Sequence, residues 1–228
     1  MKTKNLNFVW TFAMIFAVLF FTGCAGPKLY SVYMYYDAQQ AAIPENLKSN
    51  IKPDEMVIAV AELTDSRKID DTLVIGRVIE TDGMQTLVFP KTLQATKTVS
   101  SGIKHYLRKA GYKVNEKLEQ WNLKEEAIPR DNARMLIGGT IEELDIICRR
   151  SLLTNSYTSN IKLNIIFADM VKGKIVYSTT VESSYAREHV LFSENILGEQ
   201  ADIILADAIE KLFEDKVVMQ KIKEAIAQ

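Results

Sequence analysis

Cysteine and histidine are scarce in this chain, with two of each in 228 residues. So few ligands exclude a metal cage built from them, although counting alone does not exclude a carboxylate-only site. An excess of one charge is also missing, because 28 Lys plus Arg face 29 Asp plus Glu. Without a basic surplus there is no electrostatic footprint for phosphate backbones, and no nucleic-acid partner is expected. Repeats and low-complexity tracts are absent. Catalytic signatures are absent as well: there is no Gly-x-Ser-x-Gly elbow, no His-Glu-x-x-His, and no Ser-x-x-Lys accompanied by its partner motifs. What is present, 47% hydrophobic and 25% charged residues, suits one globular domain plus a tail and excludes a disordered, collagenous or multi-spanning chain.

The N-terminus reads as a targeting segment. Lys2 and Lys4 precede an apolar run from Phe8 to Phe21 that only Thr11 interrupts. That run is short of the ~20 apolar residues a spanning helix needs, and its flanks are those of a signal peptide. Phe21-Thr22-Gly23-Cys24 resembles a bacterial lipobox, with Phe where Leu is usual, so residues 1–23 are expected to be removed and Cys24 acylated with palmitate. Several acyl chains suffice to hold a domain at a membrane. Cleavage would leave Cys148 as the one thiol, which excludes a disulfide framework; its place in an apolar run points to burial. Ala25 and Gly26 follow the cysteine where inner-membrane lipoproteins often carry Asp. The expected address is therefore the periplasmic face of the outer membrane, with the inner membrane as the alternative.

Residues 24–54 read as a tether punctuated by Pro27, Pro44 and Pro53. Tyr30, Tyr33, Tyr35 and Tyr36 fall within seven residues, too aromatic for a free linker. They either pack along the domain or form an interfacial belt or partner contact, and all four are candidate partner-binding residues.

The folded domain is expected over residues 55–228. Met56–Ala61 reads as a strand buried on both faces, ended by the polar turn Thr64-Asp65-Ser66-Arg67, whose Asp65 and Arg67 form a local ion pair and a candidate partner surface. Val74–Glu80 and Met84–Phe89 read as a hairpin around Thr81-Asp82-Gly83. Helical spacing from Thr92 to Ala110 is closed by Gly111 as a left-handed cap. A short strand over 112–115 and a helical turn within 118–126 come next. Long strands follow over 134–147, with a bend or bulge at Gly138-Gly139, over 160–169 and over 175–185, the last two joined at Lys172-Gly173. A helix from Asn195 and a shorter one over 217–228 end the chain. The order describes an α/β fold: a single domain, a mixed β-sheet with packed helices. Along the first long strand Glu143 and Asp145 should share one face and Glu142 the other, and His105 and His189 read as surface residues.

The lipobox, the strand running into Thr64-Asp65-Ser66-Arg67, the helix ending Leu107-Arg108-Lys109-Ala110-Gly111-Tyr112, the strand pair around 160–177 and the terminal amphipathic helix together resemble the YajG-type envelope lipoproteins. These belong to a wider group similar to auxiliary lipoproteins of lipid-transporting ABC systems and to the periplasmic domains of penicillin-binding-protein activators. The resemblance implies a lipid-anchored, non-enzymatic periplasmic protein without cofactor or metal. It would bind an envelope protein partner as an auxiliary component of lipid or outer-membrane transport. An activator of peptidoglycan synthesis is the alternative, and an envelope hydrolase the weakest reading. Oligomeric state is not legible.

Overall fold

The computed structural model describes residues 29–45, 47–48, 57–115, 120–130 and 132–226. The expected lipobox and its Cys24 lie outside them.

The sheet is organised by one long strand. In chain order the elements are β1 (Tyr30–Val32), β2 (Val57–Val60), β3 (Thr64–Asp65), β4 (Gly76–Ile79), β5 (Gln85–Pro90), α1 (Ala95–Lys109), β6 (Lys113–Asn115), a 3-10 turn (Glu125–Ala127), β7 (Met135–Arg149), β8 (Asn155–Asp169), β9 (Lys174–His189), α2 (Glu194–Glu214) and α3 (Lys216–Ile226). One edge of β7 takes three short parallel partners in succession: β2 at Met135–Ile137, β3 at Thr140–Ile141 and β4 at Ile146–Arg149. Its other edge pairs antiparallel with β8, and β8 with β9. β5 extends the sheet from β4, β1 runs parallel beside β5, and β6 beside β2. The chain is thus a single α/β domain with a mixed sheet and helices packed on it.

The β4–β5 and β8–β9 hairpins follow from turn chemistry, with Gly83 at φ +86° and Gly173 at φ +64° in conformations that other residues resist. α1 begins at Ala95, three residues later than its spacing suggests, and ends as expected. Gly111 takes φ +92°, its N–H donates to Arg108 O, and the Tyr112 N–H donates to Leu107 O. This is the paired bonding of a Schellman cap. Ser193 Oγ caps α2 by accepting the Ile196 N–H at 3.2 Å.

The helices cover one face of the sheet. The main core joins Ile103 and Tyr106 of α1, Leu205 and Phe213 of α2, Ile222 of α3 and inward residues of β7 and β8. The Tyr106 and Phe213 rings stack at 4.6 Å. A smaller core on the opposite face places Trp121 against Leu136, Ala168 and Met170. None of the described helices is long and apolar enough to cross a membrane.

One expectation gives way, and one open choice closes. First, Gly138-Gly139 is neither a bend nor a bulge, because the ladder continues through Gly138↔Ile166 and Gly139↔Ile165. Gly138 is small because the Trp121 ring lies where a Cβ would be, 2.6 Å away. The bulge sits at Glu142, where the register shifts between Ile141 and Glu143. The extra residue flips the alternation, so Ile137 and Ile141 face the core before it and Leu144, Ile146 and Cys148 after it. Consequently Glu142, Glu143 and Asp145 share one outward face.

Second, of the readings left open for the aromatic segment, packing along the domain is the one observed, and it extends to a strand in the sheet. Tyr30–Val32 is an edge strand, and Tyr30, Val32, Met34 and Tyr36 are buried. The chain then crosses α2, where the Tyr35 N–H donates to Asp202 Oδ1 at 2.8 Å. It continues over the end of α1, where Lys109 Nζ donates to the carbonyls of Gln39 and Ala41 at 2.7 and 2.6 Å. Farther on, the Tyr112 hydroxyl donates to Leu47 O at 2.7 Å. Residues expected to be tether thus include a strap belted around the helices.

Candidate functional site

Between β3 and β4 the chain leaves the edge of β7, and residues 66–75 form an excursion opposite the bulge. Here β7 has no edge partner for residues 142–145, and a buried arginine replaces one. All five N–H donors of Arg67 are used: Nε and one Nη2 hydrogen go to the Asp65 carboxylate, at 3.0 and 2.7 Å. The remaining three go to Thr72 O, Val74 O and Leu144 O, at 2.7, 2.7 and 3.2 Å. The guanidinium therefore joins the loop to the strand and keeps no donor for a ligand. Ser66 completes the join, its N–H and hydroxyl both donating to Ile141 O at 3.0 Å.

This clamp forms one wall of a groove of about 910 Å³ on the open face of the sheet. Lys68, Asp70 and Asp71 lie along its loop side, with Gly76, Arg77, Leu144, Asp145 and Asn160 beneath and Glu142 and Glu143 at its rim. Its charges are matched across strands. Arg77 meets Asp145 at 2.9 Å, while Lys162 reaches Glu182 at 2.7 Å and Glu142 at 3.9 Å. Burial holds the Asp145 carboxyl above its ordinary pKa, with Arg77 acting against it. No histidine or cysteine lines the groove. Among the described residues, no group of three or more His, Cys, Asp or Glu could hold a metal ion. The arrangement can admit a polar chain segment or side chains with complementary charge.

The candidate residues separate into two sets. Tyr30 and Tyr36 are core residues, Tyr30 lying 5.0 Å from the Phe192 ring and Tyr36 6.4 Å from Tyr106. Asp65 and Arg67 form the clamp, with 10% and 3% of their side-chain surface exposed, so neither presents a surface to a partner. Tyr33 and Tyr35 are exposed, and Lys91 Nζ sits 4.7 Å above the Tyr33 ring. His105 is exposed on α1, its pKa lowered by desolvation and then by Arg108. His189 closes β9, and its Nδ1 accepts the Leu191 N–H at 3.1 Å. Cys148 is buried and free, and burial raises its thiol pKa.

Sequence reading passed over Arg77, Lys162 and Asn160. Opposite charges at matching positions of three successive strands were the available signal, but pairing Glu143 with Lys162 and Lys162 with Glu182 requires the register beyond the bulge.

No family model matches the sequence, and no curated protein matches it. Among solved structures, the XCC0632 protein of Xanthomonas campestris, described by the family model DUF330, superposes with a TM-score of 0.50 at 12% identity; the match covers 86% of this chain and 99% of that one. Lipoprotein GNA1162 of Neisseria meningitidis gives 0.33 at 12% identity, covering 67% and 96%. The LpoB C-terminal domain of Salmonella enterica gives 0.29 at 7%, covering 60% and 87%. The last two superpositions are too loose to carry an inference about this chain. The first shows that the chain has the fold of the XCC0632 protein.

Proposed function

We propose that this is a lipid-anchored, non-enzymatic envelope protein of the YajG type. It is held by acylated Cys24 at the periplasmic face of the outer membrane and binds a protein partner as an auxiliary component of lipid or outer-membrane transport. The observation that carries this reading is a lipobox-like sequence ending six residues before the first described strand of a domain whose groove beside β7 turns the buried Arg67 inward. A groove in which the fold itself matches Arg67 with Asp65 and Arg77 with Asp145 is suited to recognition rather than turnover. It offers no nucleophile beside a base.

The strap also bears on the alternative. An activator of peptidoglycan synthesis anchored in the outer membrane would need a long leash toward the inner membrane. With Tyr30 already in the sheet, the free span from Cys24 is six residues, or at most ~20 Å. That length favours a partner close to the anchoring membrane.

Palmitate labelling combined with crosslinking in intact envelopes tests the proposal. Label lost in Cys24→Ala, with transporter subunits crosslinked to the wild-type chain, is the expected result. Label retained in that variant overturns the anchor, and a penicillin-binding protein as the crosslinked partner overturns the transport assignment.

A further inference from the structure

We propose that the end of the sheet where β7 turns into β8 is a bilayer-docking surface, seated in the headgroup region of the membrane that holds Cys24. The proposal rests on the lipid-anchor reading above and adds the orientation of the domain.

Five large apolar side chains project from this end. Leu152 and Leu153, in the β7–β8 turn, are 95% and 82% exposed. Val190 and Leu191, which follow β9, are 70% and 69% exposed, and Met84 at the tip of the β4–β5 hairpin is 65% exposed. Three separate chain segments therefore contribute, and hydrogen bonds hold them together. Asn155 Nδ2 donates to His189 O and Val190 O at 3.2 and 3.0 Å, and the Tyr157 hydroxyl donates to Leu191 O at 3.4 Å. The β4–β5 hairpin is tied in by Arg150, which meets Glu80 at 2.8 Å and lies 5.0 Å from the centre of the Phe192 ring. Scattered apolar residues on a surface need no explanation, whereas a group gathered at one end of a rigid sheet does.

The path of the chain identifies the occupant. β1 runs parallel to β5, and Tyr30 lies level with Val88, which is level with Gly76 and through it with Ile146. Traced backward from Tyr30, β1 points toward the end of β7 where the turn lies, and the Tyr30 hydroxyl donates to Glu80 at 3.4 Å on the way. Six residues separate Tyr30 from Cys24, a reach of at most ~20 Å. From Ile146 to Leu152 is again six residues, a rise of ~20 Å at strand spacing. The acyl chains of Cys24 can thus enter a bilayer at the level of the apolar turn. A leash this short brings that end of the domain to the headgroups, where exposed Leu, Val and Met side chains leave water for the acyl boundary. The β8–β9 turn, bearing exposed Val171, stands ~50 Å away along the 15 residues of β8.

The test uses the full acylated chain reconstituted in protein-free vesicles of phosphatidylethanolamine and phosphatidylglycerol with brominated acyl chains. A polarity-sensitive fluorophore is placed singly at Leu152→Cys, Val190→Cys or Val171→Cys; Cys148 is buried and Cys24 is blocked by its lipid. Blue-shifted emission with loss of intensity to the bromines is expected at 152 and 190, together with water-like, unquenched emission at 171. Leu153→Ser with Leu191→Ser should reverse part of the shift at 152. Palmitate incorporation is measured on the same samples. Incorporation with wet labels at 152 and 190 overturns docking and leaves the anchor standing, whereas no incorporation overturns both. Labels shielded in native envelopes but wet in the vesicles assign this end to a protein partner and overturn the bilayer.

Discussion

The groove beside Arg67 and the turn at Leu152-Leu153 both depart from an ordinary surface, and they do so in opposite ways. The groove is rich in groups capable of binding, but the fold has already used most of them: Arg67 has five donors and five acceptors, all within the chain. The turn has little polar chemistry and leaves its apolar groups without contacts. A conspicuous cluster of charges can therefore be architecture, while a plain pair of leucines is left for something outside the chain. The distinction predicts a gradient of effects, steep in the groove and flat at the turn.

The largest effect belongs to Arg67. Arg67→Ala leaves three carbonyls without the guanidinium's donors and a buried Asp65 carboxylate with no countercharge and, of its Arg67 bonds, only the one from the backbone N–H of residue 67. Removing one member of a buried pair costs about 3–5 kcal/mol. Arg67→Lys should recover only part of the loss, because a point charge with three donors cannot replace a planar fork with five. Urea midpoints for the two variants check this. An Arg67→Ala midpoint close to wild type would return the residue to the surface and leave the groove free to bind through it.

Gly76, beneath the same groove, comes next. A Cβ added there would lie 2.1 Å from Ile146 O, on the backbone of the paired strand, where no flexible side chain can yield. Gly76→Ala should lower stability by about 1–3 kcal/mol through forced separation of β4 from β7, measured as a shift in thermal midpoint.

These positions also mark how far sequence reading reaches. The hairpin at Thr81-Asp82-Gly83 and the cap at Gly111 were legible because glycine at positive φ is a local requirement, readable without knowledge of what lies opposite. Alternation along β8 and the apolar stripe of α2 were legible for the same reason. The bulge at Glu142 was not, since no glycine or proline marks it and it exists only relative to β8. Missing it put Glu142 on the wrong face. Arg67 sits in a run of turn residues, and its burial is decided by carbonyls up to 77 positions away. Tyr30–Val32 became a strand by pairing with Val88–Pro90, a parallel contact 58 residues distant that composition alone read as tether. In each case the missing information was a long-range partner.

The strap over the helices gives a pH-dependent effect of intermediate size. Burial raises Asp202 from 3.8 to about 6, opposed by the Tyr35 N–H that it accepts. The folded state then holds the proton more tightly than the unfolded chain. This contribution to stability is fully present below pH 3.8 and is lost as pH rises through about 6. Asp202→Asn keeps an oxygen for the Tyr35 N–H and removes the charge. It should therefore stabilise the domain at pH 7 by about 1 kcal/mol after allowance for partial exposure, and flatten the stability profile between pH 4 and 7. Denaturation midpoints across that range read both consequences, and a wild-type slope retained in the variant would assign the pH dependence elsewhere.

The smallest effect is expected where the sequence looks most apolar. Leu152 and Leu153 bury almost nothing within the chain, and the turn that carries them is closed by Ser151 and Thr154, whose bonds do not involve either leucine side chain. Leu152→Ser combined with Leu153→Ser should leave the midpoint of the soluble domain unchanged within about 0.5 kcal/mol, the range for surface positions without a structural role. The same pair of changes at Leu205 and Leu212, which are fully buried against the sheet, should cost several kcal/mol each. A loss well above 0.5 kcal/mol in the turn variant would mean that its leucines support the β7–β8 hairpin from within. The contrast between a surface used up by folding and one left over from it would then fail at the end where it is sharpest.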